Sequence, residues 1–414
     1  PTVAAFMQPP ITKALFEKAK TVATCPDELD MLITTKNHDV KKQRIVKPMP
    51  QHWLYALLTV QTMDGYGGAK IYNIVRMNGG SSSRPMVGRC WDDGWGERFR
   101  RDLKVLLGWR EQIIAAGMYR PTGGESLLWL RPWTGLEKAK NKEQYTLPQC
   151  DPYFIEICRI MRLRWVSGRL EAVRLASVTP RIHVEKKAFK GVTHDPWSPV
   201  VLKEAKNLTL AEGGFSYDLT RQIILGDGMS TPLAMEIHDS GERNAEHKVV
   251  LTCLARGNSK TAGFHQRRVS IPGKVSRRAG NPSEKQRIAA VANQRAQDAG
   301  KARSKILYPA LKRLTDKAIE PWTKAFDAEV DDRFFEALWE ALEQGRDAAA
   351  LQWQDRLVTL AFEQLRLAQQ EIPLPVARRW KCISASESMF WGCVHKTFPE
   401  LRGYRSNLQE ADHG

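Results

Sequence analysis

The stretch NPSEKQRIAAVANQRAQDAGKARSKILYPALKRL, Asn281–Leu314, decides the reading of the fold. Asn281-Pro282-Ser283-Glu284 has the form of a helix start. Ile288, Val291, Ala292, Ala299, Ile306, Leu307, Leu311 and Leu314 then recur at helical spacing. Three further helical stretches follow, near Asp332–Gln344, Ala348–Gln370 and Leu374–Thr397, the last two divided by Pro373 and Pro375. Four helices with short connections predict an up-down bundle over residues 281–414.

Upstream the texture differs. Ile11–Ala23 reads as a short helix, Met31–Thr35 as a strand and Trp53–Thr62 as a helix. A further helix is expected over Arg98–Ala116, basic through Arg98, Arg100, Arg101, Lys104 and Arg110 and apolar through Phe99, Leu103, Leu106 and Leu107. From Cys150 to Val275 short apolar runs alternate with turns, as in Phe154–Ile157, Leu170–Val173 and Val249–Leu254. The predicted fold class is α+β: an irregular mixed α/β globular body over 1–280, followed by a C-terminal four-helix bundle over 281–414.

The 414 residues suffice for two or three domains. No run approaches the roughly 18 uncharged apolar residues of a membrane span. The first ten residues carry no basic segment ahead of an apolar core, so no secretory signal is expected and the predicted location is cytoplasmic. Seven cysteines (Cys25, Cys90, Cys150, Cys158, Cys253, Cys382, Cys393) are scattered, with no CxxC pair, which predicts buried thiols rather than disulfides or a zinc knuckle. Lys and Arg number 63 against 46 Asp and Glu, a net charge of +17. Residues 281–414 hold 20 basic and 19 acidic side chains, leaving 43 and 27 in 1–280. A basic body with a nearly neutral helical module suits a protein that grips phosphates with one region and packs on protein with the other.

Catalytic templates are largely missing: there is no GxxxxGK[ST], HExxH or GxSxG. The one enzymatic alternative is a metal-dependent nuclease or phosphohydrolase of the HD type, suggested by His38-Asp39, His194-Asp195 and His238-Asp239. His194-Asp195 precedes Pro196, which favours extended or turn backbone over a ligand-bearing helix. No cofactor and no metal are expected.

Two loops are better suited to nucleic acid. Asp64-Gly65-Tyr66-Gly67-Gly68-Ala69-Lys70, followed by Gly79-Gly80, provides backbone that can enter a groove without Cβ interference, while Lys70, Arg76 and Arg84 reach phosphates. Arg256–Arg268 joins two strand-like runs and mixes amide, hydroxyl and basic groups, including Asn258, Ser259, Lys260, Thr261, Arg267 and Arg268, that could contact bases or act as a wedge between strands. Between them lie the lysine cluster Glu185–Gly191 and the turn Thr193–Pro199. A tight loop packed on its own core, a solvated hairpin and a wet charge run are the plain alternatives, and a basic RNA-binding scaffold without motif reading is a third functional class.

Thr35–Lys42, Asp64–Gly68, Arg76–Gly80 with Ser83-Arg84-Pro85, Asp151–Cys158, Asp195–Pro199 and the terminal helices, in this order, resemble the CasA family, the large subunit of the type I-E CRISPR complex Cascade. Family members carry an additional N-terminal segment ahead of the region matched here. The resemblance implies a non-catalytic reader of the protospacer-adjacent motif in double-stranded DNA. It places a glycine loop on Gly67, Gly68 and Ala69, a lysine finger on Lys186 or Lys187, and a wedge hairpin on Asn258, Ser259, Lys260 and Thr261, none of them the glutamine that some members carry at the tip. It assigns Lys36, Asn37, His38, Lys41 and Lys42 to the guide-RNA 5′ handle and the neighbouring backbone subunit. The implied partners are target DNA, CRISPR guide RNA, the backbone, 5′-handle-binding and small subunits of Cascade, and the helicase-nuclease effector; no membrane partner is implied.

Overall fold

The computed structural model describes residues 1–29, 44–63, 84–91, 94–133, 144–175, 181–184, 189–237, 240–257, 260–316, 318–344 and 346–403. In chain order the helices are α1 Lys13–Glu17, α2 Pro50–Met63, α3 Trp95–Ala115, α4 Tyr217–Leu225, α5 Ser240–Asn244, α6 Gly273–Ala279, α7 Pro282–Lys301, α8 Tyr308–Leu314, α9 Glu320–Ala341, α10 Arg346–Glu371 and α11 Val376–Thr397. The strands are β1 Thr21–Ala23, β2 Met86–Cys90, β3 Glu125–Leu127, β4 Tyr145–Thr146, β5 Cys150–Ile155, β6 Ile160–Val166, β7 Arg169–Leu175, β8 Ile182–His183, β9 Val200–Val201, β10 Lys206–Asn207, β11 His247–Gly257 and β12 Lys260–Ile271. This is the expected α+β class. The chain divides into two compact units, one of residues 1–215, 228–242 and 247–270, the other of 216–227, 243–246 and 271–414.

The first unit is built on small sheets. β6 and β7 form an antiparallel hairpin, with β1 on its far edge through Thr21↔Arg174, Val22↔Val173 and Ala23↔Ala172. That pairing corrects the helix expected over Ile11–Ala23: only Lys13–Glu17 is helical, capped by the Thr12 hydroxyl, because the β-branched Thr21 and Val22 complete a sheet edge instead. Trp53, Leu57 and Val60 of α2 lie in one core with Phe154, Ile160 and Met161. The second sheet has the order β12-β11-β2, with β2 antiparallel to β11 from Lys248↔Cys90 to Thr252↔Met86. Helix α3 runs as expected, but Phe99, Leu103 and Leu107 are exposed; Val105 and Ile113 are its buried positions.

The second unit carries four helical rods. The first is α7, a π-helical turn over Ala302–Leu307, and α8. Pro309 lacks the N–H that would bond one turn back, and the widened turn ahead of it takes up the misfit. Helix α9 starts at Glu320, earlier than the expected Asp332, because Pro321 fits a first turn and Phe326, Val330, Phe334 and Leu338 form a continuous buried stripe. α9 packs on α10, α10 on α7, and α11 on α8 and the π turn. Cys25, Cys90, Cys150, Cys158 and Cys253 are buried, whereas Cys382 and Cys393 are half-buried.

Candidate nucleic-acid interface

Most of the residues singled out from the sequence lie outside the described residues: Lys36, Asn37, His38, Lys41 and Lys42; Gly67, Gly68, Ala69, Lys70 and Arg76; Lys186 and Lys187; Asn258 and Ser259. Lys260 and Thr261 open β12 and are described as backbone. What the structure defines in the first unit is how the ends of these segments are anchored.

The segment 30–43 leaves and returns at a clamp. The Asp27 carboxylate accepts the Arg44 backbone N–H and, at 3.4 Å, that of Ile45, while the Cys25 thiol donates to the Ile45 carbonyl at 3.3 Å. Burial by itself raises the Asp27 pKa, yet the Cys25 thiol and the N–H groups of Arg44 and Ile45 outweigh it and hold the carboxyl below its ordinary range. Burial beside that carboxylate pushes the Cys25 thiol up to about 11.

The glycine-rich segment 64–83 departs from the end of α2. Gln61 is fully buried there; its amide donates to the Met7 carbonyl at 2.8 Å and the Arg159 carbonyl at 2.9 Å, and its oxygen accepts the Arg159 N–H at 2.8 Å. The segment returns at Arg84, just ahead of β2. Arg84, expected at phosphates, is 4% exposed and lies with its guanidinium against Gly191, where a Cβ would meet Nη2 at 2.7 Å. Gly191 has φ +80° and follows Lys190 at φ +44°. The Asp195–Pro199 turn completes this edge: Trp197 N–H donates to the Asp195 carboxylate at 3.0 Å, Ser198 Oγ to the Pro85 carbonyl at 3.2 Å, and Val87 N–H to the Trp197 carbonyl at 2.9 Å.

On the other edge of β2 stands the β11–β12 hairpin. β2 pairs only as far as Thr252, and β11 continues five residues to Gly257; Cys253, Leu254 and Ala255 of that extension are buried, Leu254 in the same core as Trp53 and Phe154. Because β2 begins opposite Thr252, Arg84 lies on the side toward the hairpin tip. Along β12, Phe264, Gln266 and Arg268 are exposed; Arg267 alternates inward and donates to the Phe215 carbonyl at 2.8 Å.

The opposite end of β2 is internal. Arg89 donates to the Met235 carbonyl at 2.6 Å and faces His247, which stacks on Trp91 at 5.0 Å. Burial, and then the charge of Arg101, push the Arg89 pKa down to about 10. Of the His-Asp pairs, His38-Asp39 and His238-Asp239 lie outside the described residues; His194, at φ +51°, and Asp195 belong to the turn just described. Among the described residues no group of three His, Cys, Asp or Glu side chains could hold a metal ion. No described helix is long and apolar enough to cross a membrane.

The fold is that of CRISPR-associated proteins of known structure: the chain has the CasA fold. A CRISPR-associated protein from Thermus thermophilus matches with TM-score 0.61 and 15% identity over 96% of this chain and 79% of its own. A crystal structure of CasA from Thermus thermophilus matches with TM-score 0.60 and 14% identity over 96% and 79%. A further structure of Thermus thermophilus CasA (Cse1) matches with TM-score 0.56 and 15% identity over 84% and 72%. Neither a family model nor a curated protein matches the sequence.

Proposed function

We propose that this chain is the non-catalytic large subunit of a cytoplasmic, RNA-guided Cascade complex. In this reading it recognises the protospacer-adjacent motif in double-stranded DNA, wedges the duplex open to start R-loop formation and helps recruit the helicase-nuclease. The observation that carries the reading is the CasA fold over 96% of the chain, with β11 continuing past its pairing with β2 at the end of β2 that Arg84 precedes. Gly67, Gly68 and Ala69 let backbone approach the minor groove, Lys186 or Lys187 donates to base edges, and Asn258–Thr261 hold the strands apart. Lys36, Asn37, His38, Lys41 and Lys42 meet the guide-RNA handle and a neighbouring subunit.

The division of labour is physically consistent. Minor-groove edges distinguish mainly A·T from G·C, so a reader of backbone and one amine suits a short motif while guide pairing supplies specificity. Unstacking the first step costs a few kcal/mol, which an inserted loop and phosphate contacts can offset.

The test is a complex assembled with Lys260→Ala or without residues 258–261. Assembly with loss of R-loops on a matched target is expected; a normal R-loop yield refutes the wedge. Duplexes differing only in the adjacent motif should bind unequally, and equal binding would favour the RNA-scaffold alternative. With Mn²⁺ the chain should leave DNA intact; cleavage lost in His194→Ala would favour the HD alternative.

A further inference from the structure

In the helical unit, α7, the end of α9 and the start of α10 line a cavity of about 430 Å³ that opens to solvent beside Ala290 and Ala350, within the size range of small-molecule sites. Its walls are mostly apolar: Val291 on α7, Leu342 after α9, and Ala349, Ala350 and Trp353 on α10. One charged group in the lining is deeply buried and lacks a counter-ion. Arg295 is 6% exposed, donates through Nη2 to the Ala349 carbonyl at 2.9 Å and lies 5.1 Å from the Trp353 ring. Among the described residues no carboxylate is within ion-pair distance of it.

The surrounding charges satisfy one another instead. Asp298 is held by Lys301 at 3.1 Å and Gln294 at 3.0 Å, Glu340 faces Arg356 at 3.8 Å, and Arg287 faces Glu284 at 3.4 Å. Burial, followed by the charge of Arg356, pushes the Arg295 pKa down to about 10, against the opposing pull of Glu340 and Asp298. A buried guanidinium without a carboxylate, at the wall of an apolar cavity, is stabilised by any anion whose remaining surface is apolar.

The geometry points to a binding site for a small amphiphilic anion, a carboxylate with an apolar tail, whose head meets Arg295 and whose tail lies along Trp353, Val291 and Leu342. The site does not depend on the nucleic-acid reading.

Calorimetric titration of the whole chain with octanoate, octanol and octylamine tests this. One octanoate per chain should bind with Kd of about 1 mM or below, octanol about tenfold or more weakly, and octylamine not measurably. Ala350 is exposed, so Ala350→Leu should fill the cavity without disturbing the core and abolish octanoate binding. Arg295→Met should bring octanoate down to the level of octanol. Octanoate that fails to bind, octanol or octylamine that binds equally, or an Ala350→Leu chain that binds unchanged would each overturn the proposal. If Arg295→Met does not fold, the acid–alcohol comparison and Ala350→Leu still decide.

Discussion

Gly191 lies so close to Arg84 that a Cβ at position 191 would sit 2.7 Å from Arg84 Nη2. The glycine is required twice over: its φ of +80° disfavours any side chain, and the neighbouring guanidinium is buried and has little room to move. Gly191→Ala should therefore cost about 1–2 kcal/mol for the left-handed backbone alone. A urea titration should show a lowered midpoint with an unchanged slope; an unchanged midpoint would mean that Arg84 and the turn relax freely.

Asp27 joins the two ends of segment 30–43, and its depressed pKa gives that clamp a pH dependence. A carboxyl held below its unfolded value of 3.8 stabilises the fold above that pH and loses the contribution as pH falls through the folded value. Asp27→Asn should destabilise the chain at neutral pH by about 1–3 kcal/mol, through the weakened acceptor for Arg44 and Ile45. The gap between the two proteins should close as pH is lowered below 3.8. A gap constant with pH would show that the carboxylate charge is irrelevant to the clamp.

Gln61 makes three hydrogen bonds at zero exposure, to Met7 and twice to Arg159. Gln61→Leu preserves approximate volume but leaves two carbonyls and an N–H without the amide, an expected loss of about 2–4 kcal/mol. Amide exchange at Arg159 should accelerate in step with the loss of stability. Protected exchange at Arg159 in this variant would contradict the accounting.

The periodic apolar runs of the second unit made its four rods legible, and Val249–Leu254 made β11 legible. Ile11–Ala23 misled because a period cannot reveal that Thr21 and Val22 complete an edge on the distant strand β7. Charge misled more subtly. Several arginines counted toward a phosphate-gripping surface are internal: Arg84 beneath Gly191, Arg162 on the Gln8 and Pro9 carbonyls, and Arg181 over Tyr145 at 4.8 Å. Buried arginine satisfies carbonyls and covers aromatic rings, which net charge cannot distinguish from a groove lining. The Gln61 anchor carried no sequence signal beyond one amide on an otherwise apolar helix face. Of the candidate site, the turn Asp195–Pro199 and the hairpin were legible as motifs, but their common dependence on β2 was not.

On the exposed face of β12, Arg268 is the described candidate for a phosphate contact, with Phe264 on the same face. Removing one phosphate-contacting cation should reduce the salt slope of DNA binding by about 1 and weaken binding evenly across sequences. Arg268→Ala in the assembled complex, titrated over a range of salt, should show that reduction and no change in motif preference. A changed preference would assign Arg268 to base reading, and an unchanged slope would remove it from the interface.

Helix α3 offers a contrast within one element. Trp95 is 90% exposed and Phe99 67%, and Leu103 and Leu107 continue the same stripe one turn apart, whereas Val105 is buried. Hydrophobic character alone would place Phe99 and Leu103 in the core; the structure leaves both partly in water, so each has less burial to lose than Val105. Phe99→Ser and Leu103→Ser should leave stability within about 0.5 kcal/mol, as surface substitutions do. Val105→Ala deletes two buried methyl groups and leaves a cavity, an expected cost of about 2 kcal/mol. Thermal midpoints of the three variants decide the matter: if Phe99→Ser falls as far as Val105→Ala, the stripe is covered in the folded chain and the orientation of α3 is other than described.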